Sequence, residues 1–507
     1  KVTGVQTCAL PISLMSTLRL RSILKYKVSS IGRRSGLWLG VWIWLVSGIA
    51  GAQQAPAPEV PGLSGETKEV VGAISNWQAP ELQIKLPVQK VMLENGLTVL
   101  LLEDHSVPMI SYHTWYKVGS RNETPGVTGA SHMLEHMMFK GTKSIPSAQF
   151  KKTILEYGGD TNAATSFDYT IYETSIAVEH LELILKLEAD RMENLAFTEQ
   201  EVIAERDVVM EERRMRLDNH PFGQAYETLL RALRWYHPYG VPPIGHPYHI
   251  QNYTYQATRD HYQNWYVPNN AVLIIAGKTT LAEVLPLVER YFGHLKPRPV
   301  PTRQRVAEPP RQGITQHIEQ KNPRNSLILL NWFYEAPNHQ SKDKQHYYGL
   351  IVLAQLLGGN TTTDFYKTLV EDKKLALSVS SSYEWDSYDP RPFSLSATLS
   401  PGMDVGAFKN ALKEYLKQLL VKISSEEIKK AKRDLLAQLA FMQDGNMNSL
   451  HLFGNLAIGL SLEQIENWGE SIQAVTDEQV LQAAQAVLGN DPIVTMDLYP
   501  LALSGQK

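Results

Sequence analysis

The chain has 507 residues, of which 43% are hydrophobic and 20% charged, and its formal net charge is −3. These values exclude a largely disordered protein, leave room for two or three domains with sizeable cores, and give no nucleic-acid footprint. A single cysteine, Cys8, excludes a disulfide framework, a thiol nucleophile and a cysteine-ligated metal in everything downstream.

Residues 1–14 precede the first methionine, Met15, and read as non-native read-through. Residues 15–52 have the form of a signal peptide. Arg19, Arg21, Lys25, Lys27, Arg33 and Arg34 stand without an acidic neighbour, and the apolar run GLWLGVWIWLVSGIAGA follows, closing on the small-x-small pattern Ala50-Gly51-Ala52. The apolar core, roughly 14 residues, is shorter than the ~20 of a spanning helix. Export to a bacterial periplasm is therefore expected, with an uncleaved membrane anchor as the alternative. With the seven basic residues of positions 1–52 set aside, 42 basic residues face 52 acidic ones, a net charge of −10 that suits neutral or cationic peptides. Residues 53–85, containing QQAPAPEVPGLSGE, read as a Pro/Ala-rich leader.

From residue 86 the chain is patterned. Two β-rich runs in VQKVMLENGLTVLLLEDHSVPMISYHTWYKVGS flank turn signals at Asn95-Gly96 and at DHSVP, as in antiparallel pairing. A helix carrying HMLEH follows, then a helix in SAQFKKTILEYGG, strands in DTNAATSFDYTIYETSIA and a long helix in HLELILKLEADRMEN. Thr198 and Glu201 have capping-box spacing ahead of another helix. Periodicity disappears in the Pro- and Arg-dense linker 299–316, and beyond it the order of elements repeats: paired helices around Gly358-Gly359, two strands, a helix, and a capped helix in SSEEIKKAKRDLLAQLAFMQDG. The expected fold is α+β: two homologous halves, 86–298 and 317–507, each a mostly antiparallel or mixed sheet flanked by helices.

On a helix, residues four apart share a face, so His132 and His136 can converge on one metal ion with Glu135 beside them. This is the H-x-x-E-H order of inverzincins, in which the glutamate takes a proton from water. Neutral imidazole suits Zn²⁺, and catalytic zinc typically has three protein ligands and an open position. Without cysteine the third ligand is His, Asp or Glu. Glu205 and Glu212, seven apart, project from nearly one helix face, which equally describes a solvated acidic face. The two histidines could likewise be ordinary solvated helix residues.

The combination GVTGASHMLEHMMFKGT, GGDTNAATSFDYTIYE, ERDVVMEE, HPYGVPPIG and WYVPNNAVLIIAG resembles the M16 (insulinase/mitochondrial processing peptidase) metallopeptidases, most closely the bacterial two-unit members, over nearly all the chain from about residue 90. The resemblance implies that the third zinc ligand is Glu212, about 76 residues after His136, and that Glu205 supports the site. It further implies peptide hydrolysis with Glu135 as general base on zinc-bound water, and substrate held as an added strand on the edge GGDTNAATSFDY, where Asn162 and Ala163 offer backbone groups. The 86–298 half is then catalytic and the 317–507 half carries no metal site.

One departure matters. Many relatives carry an Arg and a Tyr seven apart in the second half, reaching across to the substrate. Here VEDKKLALSV puts Val370 and Leu377 at those positions, and neither donates a hydrogen bond to an oxyanion. The expected assembly is a heterodimer, this chain bearing zinc and a homologous non-catalytic M16 partner bearing the Arg/Tyr pair; a homodimer is the alternative. The rival functional reading is an inactive M16-like scaffold subunit.

Overall fold

The computed structural model describes residues 88–501 other than 310, 312, 323–324 and 444–452. The expected read-through, signal and leader lie outside the described residues, as does any test of export. Among the described residues no helix is long and apolar enough to cross a membrane.

Two sheets organise the molecule. The first contains β1 (Val88–Met92), β2 (Thr98–Glu103), β3 (Met109–Tyr116), β4 (Asp160–Thr165), β5 (Thr170–Ala177) and β6 (Ala271–Gly277), in the order β1-β2-β6-β3-β5-β4. Asn95-Gly96 does close an antiparallel hairpin between β1 and β2, with Gly96 at φ +85°. DHSVP does not: β6 inserts between its two flanking strands, parallel to β2 and antiparallel to β3. The physical reason is burial on both faces. Val99 and Leu101 enter one core while Leu100 and Leu102 enter another, and β6 is buried along its whole length, so these are the interior strands.

The second sheet contains β7 (Gln316–Asn322), β8 (Ile328–Tyr334), β9 (Ser378–Tyr383), β10 (Phe393–Leu399) and β11 (Val494–Pro500), in the order β7-β11-β8-β10-β9. Its pairings repeat those of β2-β6-β3-β5-β4, including the one parallel ladder, here β11 with β7. The duplication expected from element order is therefore a duplication of topology, with β1 as the first half's addition.

Eleven described helices have eight or more residues. They are α1 (Ala130–Met137), α2 (Gln149–Glu156), α3 (Leu181–Asn194), α4 (Glu199–Arg213), α5 (Pro221–Leu233), α6 (Tyr255–Trp265), α7 (Leu281–Phe292), α8 (Tyr347–Gly358), α9 (Val405–Leu419), α10 (Ser425–Gln443) and α11 (Asp477–Leu488). Helices of the first half cover one face of the first sheet, with Met133, Leu134, Ile184, Leu185 and Val209 among the fully buried residues. The opposite face, including Leu100, Trp115, Ile171 and Ile274, joins the core formed by α8, α11 and the second sheet. A Cβ at Gly454 would lie 2.1 Å from the Trp115 ring, so only glycine lets the second half approach this closely. In return α5 leaves its own half: Ala225, Leu229, Ala232 and Leu233 pack on Leu329, Phe333, Val494 and Met496 of the second sheet. Each half thus covers apolar surface of the other.

Candidate metal centre

The approach to α1 is built around Gly129, the residue that begins the helix at φ +89°. A Cβ there would meet the Ile244 carbonyl oxygen at 2.4 Å, so backbone conformation and space both demand glycine. The carboxylate of Glu123 accepts hydrogen bonds from the backbone N–H groups of Gly129 (2.6 Å) and Ser131 (2.8 Å), capping the helix from outside it. Burial pushes its pKa up to about 8, against the pull of those N–H donors.

Within α1, Met133, Leu134 and Met137 fill the core while His132 and His136 share the opposite face, their ring centroids 4.7 Å apart. The Thr198/Glu201 capping box starts α4 as the spacing predicts, and α4 brings Glu205 and Glu212 to the histidines. His136 Nε2 lies 3.2 Å from Glu212 Oε2, and His132 Nε2 lies 3.6 Å from Glu212 Oε1. Ligand atoms of His132, His136 and Glu212 all fall within 4.8 Å of one another.

Two observations test whether these residues fit a zinc ion. Tetrahedral ligands at ~2.1 Å from zinc stand about 3.4 Å apart, a value the two separations above bracket. The second is orientation: Glu205 Oε1 sits 2.8 Å from His136 Nδ1, so Nδ1–H donates to it and Nε2, turned toward Glu212, is the nitrogen left for a metal once its proton is lost. Lys140 forms an ion pair with the other Glu205 oxygen, and Arg216 lies 2.7 Å from Glu212 Oε1. The residues fit.

The electrostatics ask for positive charge at this spot. Burial alone would lower the His136 pKa, yet Glu205 and Glu212 override it and push it up to about 10. Burial likewise opposes ionisation of Glu212 and Glu205. His132, His136 and Arg216 nevertheless hold Glu212 far below the usual carboxylate range, and His136 and Lys140 hold Glu205 down. In the protein without metal, a proton on His136 supplies part of that charge.

Glu135 is buried on α1 and accepts a hydrogen bond from Thr165 Oγ1 at 2.5 Å. Thr165 ends β4, one of the two edge strands of the first sheet, which also carries exposed Asn162 and half-buried Ala163. The structure thus brings together His132, Glu135, His136, Glu205 and Glu212, with Asn162 and Ala163 on the adjoining sheet edge. Val370 is half-buried against the second half's core, and Leu377 is 42% exposed.

Sequence reasoning did not single out Glu123, Lys140, Thr165 or Arg216. Lys140 and Arg216 each lie four residues after a candidate ligand, a spacing that could have marked them. Glu123 and Thr165 carry no such signal.

In the second half, Gln438 stands fourteen residues after Ser424, as Glu212 stands fourteen after Thr198. Gln438 Nε2 donates to Gln355 Oε1 at 3.3 Å, a contact between two neutral amides joining α10 and α8.

Two family models match the chain, the second of them beginning inside the first half. The family described as "Insulinase (Peptidase family M16)" matches residues 98–239, and "Peptidase M16 inactive domain" matches 252–435. The zinc protease PqqE of Helicobacter pylori is 34% identical over 355 residues, 69% of this chain and 77% of that protein. The uncharacterized zinc protease YmxG of Bacillus subtilis is 29% identical over 300 residues, 59% and 71% of the two chains. Among solved structures, a protease from Helicobacter pylori superposes with a TM-score of 0.73 at 29% identity, covering 82% of this chain and 99% of that one. The first half of the periplasmic protease PqqL from Escherichia coli shares the fold, with a TM-score of 0.67 at 20% identity over 82% of this chain and 92% of that one. The chain belongs to peptidase family M16.

Proposed function

We propose that this M16 chain is an exported zinc endopeptidase that hydrolyses peptides or unfolded segments. The observation that carries the reading is the convergence of His132, His136 and Glu212 with Glu135 on the same helix face. His132, His136 and Glu212 would hold the ion, which when bound acidifies water and polarises the scissile carbonyl. Glu135 takes the proton of the attacking water and passes one to the leaving amine. Glu205, itself held by Lys140, keeps His136 in the tautomer that presents Nε2. Substrate joins β4 as an added strand, its backbone pairing along the edge that carries Asn162 and Ala163.

An oxyanion donor comes, in this reading, from a homologous partner chain, because Val370 and Leu377 offer only hydrocarbon. Export rests on the basic and apolar pattern of residues 15–52, with support from the periplasmic setting named for the PqqL relative.

Cleavage of an unstructured peptide by wild type against Glu135→Gln tests the reading. Zinc retained in both, with cleavage lost by about 10³-fold or more in the variant, supports it. Equal cleavage by the two, or none from wild type with or without its partner, sinks it.

A further inference from the structure

We propose that Thr165 is the positioning residue for the general base, tying Glu135 to the strand that receives the peptide; this rests on the role given to Glu135 above. A carboxylate that must take a proton from one direction needs its free oxygen aimed, and a donor on the other oxygen fixes that rotation. Thr165 Oγ1 is that donor at 2.5 Å, and both side chains are more than nine-tenths buried, at 5% and 8% exposure. Among the described residues no other side chain hydrogen-bonds to Glu135. The nearby hydroxyls of Tyr172 and Tyr266 pair with each other at 2.9 Å instead.

Thr165 is held from its far side as well. It leads into the turn 166–169, closed by the Ser166 N–H on the Tyr169 carbonyl at 2.8 Å. The N–H groups of Ser120 and Arg121 donate to the carbonyls of Ser166 and Phe167, at 3.1 and 2.9 Å. Asp168 accepts from the Tyr239 hydroxyl at 2.7 Å and from the Tyr388 N–H, in the second half, at 3.1 Å. The metal-free half therefore bears on the base through the hairpin without placing a side chain on it. One strand sets both the register of the peptide and the aim of the carboxylate.

The test uses the full zinc-loaded chain as Thr165→Val, which keeps the shape and removes the donor, and Thr165→Ser, which restores it. With zinc content unchanged, Val lowers kcat about 10- to 100-fold with KM within about twofold, and Ser returns kcat to within about threefold. In a crystal structure of the Val variant the Glu135 carboxylate turns from its present direction. Wild-type kcat in the Val variant, a raised KM at unchanged kcat, or an unmoved Glu135 overturns the proposal. If wild type cleaves nothing even with its partner present, the peptidase reading has failed separately, and the crystallographic comparison still decides what Thr165 does.

Discussion

The His136 imidazole is where the residue-scale chemistry concentrates. Its folded pKa of about 10 lies above the ordinary value of 6.5, so protonation of His136 stabilises the metal-free protein fully below pH ~6.5. That contribution declines as pH rises and is gone above about 10. Thermal unfolding of the metal-free chain is therefore expected to show a midpoint that falls between pH 7 and 10, and substituting His136 with Gln should flatten the trend. The same proton must leave when zinc binds, so zinc affinity should rise with pH across that window. Glu205→Gln keeps a hydrogen-bond acceptor but removes the charge. Zinc affinity measured by chelator competition should drop about 10- to 100-fold, with the protein still folded. An unchanged affinity would mean that Glu205 is only a partner for Lys140.

At the scale of elements, the site depends on how α1 begins and what lies beside it. Glu123 satisfies two of the backbone N–H groups that the first turn leaves open. Glu123→Ala is expected to cost about 1–2 kcal/mol in urea unfolding. Since the capped turn leads directly into His132, zinc affinity should fall with it. Much of this level was legible beforehand. HMLEH, the 198/201 capping box and the β-rich runs each carry a local signal, and they appear as α1, α4 and strands of the two sheets. What the chain pattern did not reveal was the insertion of β6 between β2 and β3. A turn signal such as DHSVP reports that the chain reverses and not which strand it will pair with, because pairing is decided by burial on both faces. Thr165 was equally hidden. Its reach to Glu135 exists only once β4 lies against α1, and no spacing along the chain encodes it.

Over the whole molecule, the two halves are bound by charge as well as by shared cores. Asp389 of the second half accepts from Arg121 and His237 of the first, at 2.5 and 2.9 Å, and from Arg305 of the linker at 3.0 Å. Arg121, Arg303 and Arg305 all stack on the Tyr388 ring at 4.3–4.5 Å. The Arg-dense linker, aperiodic in sequence, is thus part of the joint between the halves, and its missing periodicity reflects the absence of regular elements rather than looseness. Burial would raise the Asp389 pKa, but His237 and Arg121 pull it below the usual range. Asp389→Ala leaves buried Arg121 without that partner and should cost about 3–5 kcal/mol. Calorimetry is expected to resolve two unfolding transitions in this variant where wild type shows one.

Gln355 and Gln438 meet in the second half as neutral amides, and the function proposed above assigns the metal to the first half alone. Zinc stoichiometry on the purified chain tests that account most directly. Wild type and Glu135→Gln should each bind close to one zinc per chain, and Glu212→Gln close to none. A wild-type chain without zinc, or a Glu212→Gln chain that keeps it, would contradict the account.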